Sequence, residues 1–336
     1  MHLEALEAGR LQLALRAGVL LAASLASLSG PVAAEPAATS EDASLFAVPT
    51  TFDHIGRVVV PAMINGKGPF RFIVDTGATH STVSPDLVRA LGLKPTEIPS
   101  IVLNGITGTA QVNAVTLDTL QTGDLIVDGV VAAVVSAPVM AGADGIFGAA
   151  GLTEKCLSVD FERNRVRVAR SVEPALRKDA LKVHALRLTH GLITVDSQVG
   201  RVPTLAVIDT GSERTLGNLA LRNALKLRNR TGAVALVTSV YGATEQVERG
   251  ELSIAPTISI DAIRINEVQV VYGDFHIFKV WGMADRPALI VGMDVLGTVS
   301  ALGIDFKNQD LYFTSSRANT TKFATAGELA STLQRK

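Results

Sequence analysis

Short apolar runs separated by turn residues dominate the chain between about residues 50 and 315, a pattern of strands rather than of long helices. Val58-Val59-Val60 and residues 70–74 flank a turn holding Gly66 and Pro69, and this predicts a hairpin. Leu192-Ile193-Thr194-Val195 and residues 205–208 flank Gly200 and Pro203 in the same way. Helical patterning is brief. Ser84 and Asn218 are good N-caps, and Pro85 suits a first helical position. Leu87 with Leu91, and Leu221 with Leu225, then place apolar side chains four apart on one helix face. Gly105-Ile106-Thr107-Gly108 and Tyr241-Gly242 read as the tips of two further hairpins. Val159-Asp160-Phe161 with Val166-Arg167-Val168, and Ile304-Asp305-Phe306 with Leu311-Tyr312-Phe313, predict two more. The expected class is all-β with a few short helices.

The same pattern occurs twice. Asp75-Thr76-Gly77 and Asp209-Thr210-Gly211 lie 134 residues apart, and the neighbours keep that offset: Gly66 with Gly200, Pro69 with Pro203, Leu93 with Leu227, Gly108 with Gly242. A later block repeats with an offset of 144, Gly145-Ile146-Phe147-Gly148 against Leu289-Ile290-Val291-Gly292. About ten extra residues therefore belong to the second copy, and they are expected between Tyr272 and Arg286, where Phe275, His276, Phe278 and Trp281 break the pattern. The organisation expected is a first half over 45–170, a linker over 171–182, a second half over 183–316 and a polar tail over 317–336, in which 325–334 could add one helix.

Composition narrows the classes. With 47% apolar residues the 336-residue chain can bury a sizeable core. A net charge of −1 with scattered Lys and Arg argues against a nucleic-acid partner. Residues 17–28 (AGVLLAASLASL) follow Arg10 and Arg16 and precede Pro31-Val32-Ala33-Ala34, so 1–34 reads as a signal peptide cut after Ala34, with a periplasmic or secreted product. Glu4 and Glu7 weaken the basic character of that segment, which leaves an uncleaved anchor or a misplaced start as alternatives. Cys156 is the only cysteine, so no intramolecular disulfide is possible, and it reads as a buried, inert thiol. His54, His184, His190 and His276 have no ligand-like spacing, and His80-Ser81 completes no Ser-His-Asp order; neither a metal, a cofactor nor a serine triad is expected.

One Asp-Thr-Gly is an ordinary turn, with Asp accepting local N–H bonds; two copies, each preceded by an apolar strand, are not. The runs Phe72-Ile73-Val74-Asp75-Thr76-Gly77-Ala78 and Val207-Ile208-Asp209-Thr210-Gly211-Ser212 resemble the active-site loops of the aspartic protease superfamily. The blocks ending in Gly148 and Gly292 are similar to its apolar-apolar-glycine segments. The compact halves, with Gly292-Met293-Asp294-Val295-Leu296-Gly297 closing the second block, look closest to bacterial retropepsin-like proteins, although here both halves share one chain.

The resemblance implies a bilobal fold with a pseudo-twofold axis and catalytic residues Asp75 and Asp209. It also implies Thr76 and Thr210 bonded across the axis, and Ile146-Phe147-Gly148 and Ile290-Val291-Gly292 threaded behind the dyad. An aspartic endopeptidase would then hold one proton between two carboxylates about 3 Å apart, one activating water while the other polarises the scissile carbonyl. Ser212 is placed to donate to Asp209 whereas Ala78 cannot help Asp75, which predicts Asp209 as the more readily ionised. The partner expected is a peptide in extended conformation beneath the two hairpin tips. Pepsin-like enzymes carry a flap tyrosine in the N-terminal half; here Thr107 holds that place and Tyr241 sits in the second copy, either as a flap residue or as a half-buried strand residue. One chain supplies both carboxylates, so a monomer is the expectation. A non-catalytic exported scaffold that binds a peptide or partner is the alternative, since fold alone does not guarantee chemistry.

Overall fold

The computed structural model describes residues 44–314 apart from 50, 54–55, 124, 137, 170–175, 177, 179, 189–190 and 228–235. The expected signal segment, His54, His190 and the polar tail lie outside the described residues, as does most of the linker. Its last two positions already belong to the strand Leu181–His184, so the second half starts slightly earlier than the sequence suggested.

The fold is all-β with a few short helices, as the patterning predicts. Three sheets carry it. The first half builds a sheet from strands within 51–148 and the second half one from strands within 186–291. In both, the predicted hairpin leads into the aspartate: Val58–Ile64 pairs with Lys67–Asp75, and Ile193–Val199 with Val202–Ile208. Alternate residues Val58, Val60, Ala62, Phe72 and Val74 enter the main core, while Val59 and Ile73 turn to the opposite face, as a period of two requires.

A third, six-stranded sheet joins the halves, and its register has a symmetry of its own. The strand Cys156–Asp160 pairs antiparallel with Ala301–Asp305, with Ser158 opposite Gly303. Val159 and Ile304 are repeat equivalents, so Ser158 and Gly303 are too; each strand pairs with its own copy, and a pseudo-twofold axis passes through that rung. Outside them lie the partner strands of the closing hairpins, Arg165–Ala169 and Asp310–Thr314, and then Ser44–Pro49 and Leu181–His184. Cys156 sits in this sheet, buried.

The short helices start where the caps predict. The Ser84 side chain accepts from the Leu87 N–H at 3.1 Å, and that of Asn218 from the Leu221 N–H at 2.8 Å. Leu87 and Leu221 are fully packed into the core. Asn218 does more than Ser84: its amide donates to the Met283 and Arg286 carbonyls at 2.7 Å each, which ties the second helix to the extra segment of that half. That segment holds the helix His276–Val280, where Phe278 packs tilted against Phe275 and edge-on against Trp281; the corresponding place in the first half has the short 3-10 helix Pro138–Met140.

Candidate active site

Both aspartates stand at the end of a central strand, where the chain turns sharply. Asp75 Oδ1 accepts from the N–H groups of Gly77 at 2.8 Å and Ala78 at 2.9 Å. Asp209 Oδ1 accepts from those of Gly211 at 2.8 Å and Ser212 at 3.1 Å. Each carboxylate is thus fixed by its own loop, with the other oxygen left for the axis.

The loops interlock. Thr76 Oγ1 donates to the Ile208 carbonyl and Thr210 Oγ1 to the Val74 carbonyl, both at 2.8 Å. In return the Thr76 N–H donates to Thr210 Oγ1 at 3.2 Å, and the Thr210 N–H to Thr76 Oγ1 at 3.1 Å. Both threonines are completely buried, so these bonds have no water to replace them. The consequence is close approach: a methyl group on Gly77 would overlap the Asp209 carboxyl, and one on Gly211 the Asp75 carboxyl. Each carboxyl thus lies against the opposite loop, close enough to act on the proton affinity of the other. Thr210→Val keeps the volume but strands the Val74 carbonyl and the Thr76 N–H, and at about 1–3 kcal/mol for each unsatisfied buried group it is expected to cost about 2–5 kcal/mol of stability. Thr210→Ser should recover most of the loss; urea titration of both variants checks this.

The expected segments do thread behind the loops. Gly145–Gly148 runs parallel to the first aspartate strand with Gly148 level with Asp75, and Ala288–Val291 runs parallel to the second with Val291 level with Ile208. The Asp209 N–H donates to the Val291 carbonyl at 3.1 Å. Gly148 and Gly292 are glycines because any side chain would strike backbone, that of His80 in one case and of Arg214 in the other. Ile146 and Ile290 face the smaller clusters near the cleft, Phe147 and Val291 the main core. A pair unmarked by sequence reasoning supports these glycines: Ser81 Oγ accepts from the Gly148 N–H and Thr215 Oγ1 from the Gly292 N–H, each at 3.2 Å. Ser81 and Thr215 are also 134 residues apart, so the repeat itself could have found them.

The two hairpin tips meet each other. Thr107 Oγ1 and Thr244 Oγ1 are 2.9 Å apart and buried, and Gly242 lies against Ile106 and Thr107 so closely that a side chain there would crowd the Thr107 hydroxyl. Gly105 faces Ala243 and Thr244, and Gly108 faces the Gln246 side chain. Ile106 packs onto the aromatic cluster of the extra helix. Thr109 donates to Asn104 Oδ1 at 2.9 Å, so its oxygen accepts from His276 Nε2 at 2.8 Å. Tyr241 ends the hairpin strand Leu236–Tyr241 and departs from the half-buried alternative. Val240 joins the cluster that holds Ile106, and by strand alternation Tyr241 points the other way, 55% exposed.

The Ser212 expectation is also corrected. Its hydroxyl donates to the Arg214 carbonyl at 2.8 Å, within the turn, and only its backbone N–H reaches Asp209. Burial pushes the Asp75 carboxyl above the usual carboxylate range, opposed by the Ala78 and Gly77 N–H groups and by the charge of Arg57. Burial pushes Asp209 much further, and the charge of Asp75 adds to it. The Ser212 hydroxyl thus gives no support to the order of ionisation expected from it.

A two-lobed β fold in which twin Asp-Thr-Gly turns meet on a pseudo-twofold axis defines the acid-protease class. A family model described as aspartyl protease matches residues 60–150 and 194–295, two segments whose starts are again 134 residues apart, and the chain belongs to that family. No curated protein matched the chain. Membership carries proteolysis as the general activity.

Proposed function

We propose that this protein is an aspartic endopeptidase in which Asp75 and Asp209 share one proton and activate a water between them. The observation that carries the reading is the reciprocal approach of each loop's glycine to the other loop's carboxyl, held by the crossed threonine bonds. Two carboxylates so placed cannot both ionise cheaply in a buried setting; one stays an acid beside an anion. The anion takes a proton from the water as it attacks the peptide carbon, and the acid donates toward the developing tetrahedral oxygen. As the C–N bond breaks, the proton taken from the water passes to the leaving amine while the diol hydroxyl returns its proton to the other aspartate, which restores the pair.

A peptide would enter as an extended strand beneath the two flaps, because backbone bonds along a strand demand little of its sequence. The flap tips meet each other, so a peptide that enters beneath them requires them to part. Export to a periplasmic or secreted location, expected from residues 17–28, belongs to the same reading. The test is digestion of a mixed peptide library from acidic to neutral pH by the full chain, beside Asp75→Asn and Asp209→Asn. Cleavage retained by either variant would overturn the mechanism. Saturable peptide binding with no cleavage by any form would favour the scaffold.

A further inference from the structure

The two hairpins whose tips meet are held differently. Each puts an edge strand at the end of its sheet, Pro95–Gly105 in the first half and Leu236–Tyr241 in the second. A bare edge is free to lift or to pair with another chain, so its cover decides how it behaves. The first edge is covered by the other half: the extra helix His276–Val280 lies against both strands of the first hairpin, Pro95–Gly105 and Gly108–Thr122. The second edge is not. The short 3-10 helix Pro138–Met140, at the corresponding place in the first half, makes no comparable approach to the second hairpin among the described residues.

We propose that His276 is a positioning residue for the flaps: with the helix it opens, it braces the first-half hairpin against the second half, so that the second-half hairpin is the one that lifts to admit a peptide. The inference rests on the reading of these hairpins as flaps given above. The grip is polar at the rim and apolar beneath. His276 Nε2 reaches Thr109 Oγ1 at 2.8 Å and Asn104 Oδ1 at 3.4 Å, one residue from each strand of the first hairpin. Those two residues face each other across the ladder, and Asn104 already accepts from the Thr109 hydroxyl at 2.9 Å, so Nε2 is the donor to both. Beneath them, Ile106 packs into the cluster that holds Phe275, Ile277 and Phe278. The brace is itself fixed to its own half. Those three side chains are buried, Lys279 Nζ donates to Asp274 Oδ2 at 2.8 Å, and the Asn218 amide holds the Met283 carbonyl at 2.7 Å.

The second hairpin has no such support. In the repeat the place of Thr109 is taken by Ala243, which offers no hydroxyl, and that of Asn104 by Thr238. Val240 enters the same aromatic cluster, but by apolar contact alone. Its returning strand, Val247–Ile254, is paired on the far side only from Glu251 onward, and Val237, Tyr241 and Val247 on the outer face are each more than half exposed. Segments with few buried contacts are the first to open. The tips share the contact between Thr107 and Thr244. When it breaks with the first hairpin braced, the second is the part left to move.

The experiment compares the full chain with His276→Ala, His276→Gln, Thr109→Ala and the double variant His276→Ala/Thr109→Ala, all at positions that are partly or fully exposed. Amide hydrogen exchange is followed over residues 104–109 and 240–246, in the wild type and again in Asp75→Asn. In both, 240–246 should exchange faster than 104–109. His276→Ala should speed exchange over 104–109 by about fivefold, which is what one lost hydrogen bond is worth. Thr109→Ala should do the same, and the double variant should add little to either. His276→Gln, whose amide nitrogen can take the place of Nε2, should restore the slower exchange. In peptide cleavage KM should rise by a similar factor in His276→Ala with kcat little changed, because a loosened flap weakens ground and transition states alike. Faster exchange over 104–109 than over 240–246 in the wild type would overturn the brace. So would an unmoved exchange rate or KM in His276→Ala, or additive effects in the double variant. Exchange in Asp75→Asn needs no turnover, so a chain that cleaves nothing would sink the endopeptidase reading without deciding the brace.

Discussion

Asp75→Asn and Asp209→Asn are each expected to lower peptide cleavage by roughly 10³-fold or more, with the fold intact. General acid–base catalysis contributes about 10²–10⁴-fold for one well-placed group, and here either change removes the shared proton on which both roles depend. The fold should tolerate it. An asparagine at 209 keeps an oxygen to accept from the Gly211 and Ser212 N–H groups, and its amide can donate to Asp75. Stability should even rise with pH relative to the wild type. The Asp209 carboxyl is held well above its ordinary value of 3.8, so its contribution to stability is complete below that value and is lost as pH climbs through the raised one. Asp209→Asn removes that loss. The melting temperature of the variant should exceed that of the wild type at neutral pH, and the difference should shrink on acidification. Equal melting curves at every pH would mean that Asp209 is not strained in the native state.

Gly211→Ala and Gly77→Ala are expected to be more damaging overall, although each adds a single methyl group. Neither glycine is needed for an unusual backbone angle; neither has a positive φ. The need is for space. The added carbon would overlap the opposite carboxyl, which is itself pinned by two N–H bonds, and the loops cannot slide apart without breaking the threonine bonds. Overpacking of a well-filled site costs about 1–3 kcal/mol and occasionally more. Activity should fall by at least about 10²-fold, since a displacement of about 1 Å at the reacting groups costs that much. Melting temperature and residual cleavage, measured together, check it; near-normal activity in either variant would show that the carboxyls have room to separate.

The contrast between what was readable in the chain and what was not has a physical basis. Asp75 and Asp209 were legible because duplication turns a weak tripeptide into a paired motif, and the same offset marked the caps Ser84 and Asn218 and the glycines behind the loops. Local chemistry sufficed for these. Long-range pairing was not legible: that Ser158 lies opposite Gly303 depends on two surfaces meeting, and no local signal announces it. The Ser212 hydroxyl was misassigned because its choice between Asp209 and the Arg214 carbonyl is made by the path of the turn. The half-buried alternative for Tyr241 failed for a related reason, as strand parity at the flap follows from Val240 packing inward.

Two carboxyl groups that meet and hold one proton have a signature in a carboxyl infrared titration of the wild type and both Asn variants. A protonated carboxyl should persist above the usual carboxylate range in the wild type. In Asp75→Asn, where the neighbouring charge is gone, Asp209 should release its proton at lower pH than it does in the wild type. Two aspartates that titrate independently in the ordinary range, each indifferent to replacement of the other, would contradict it.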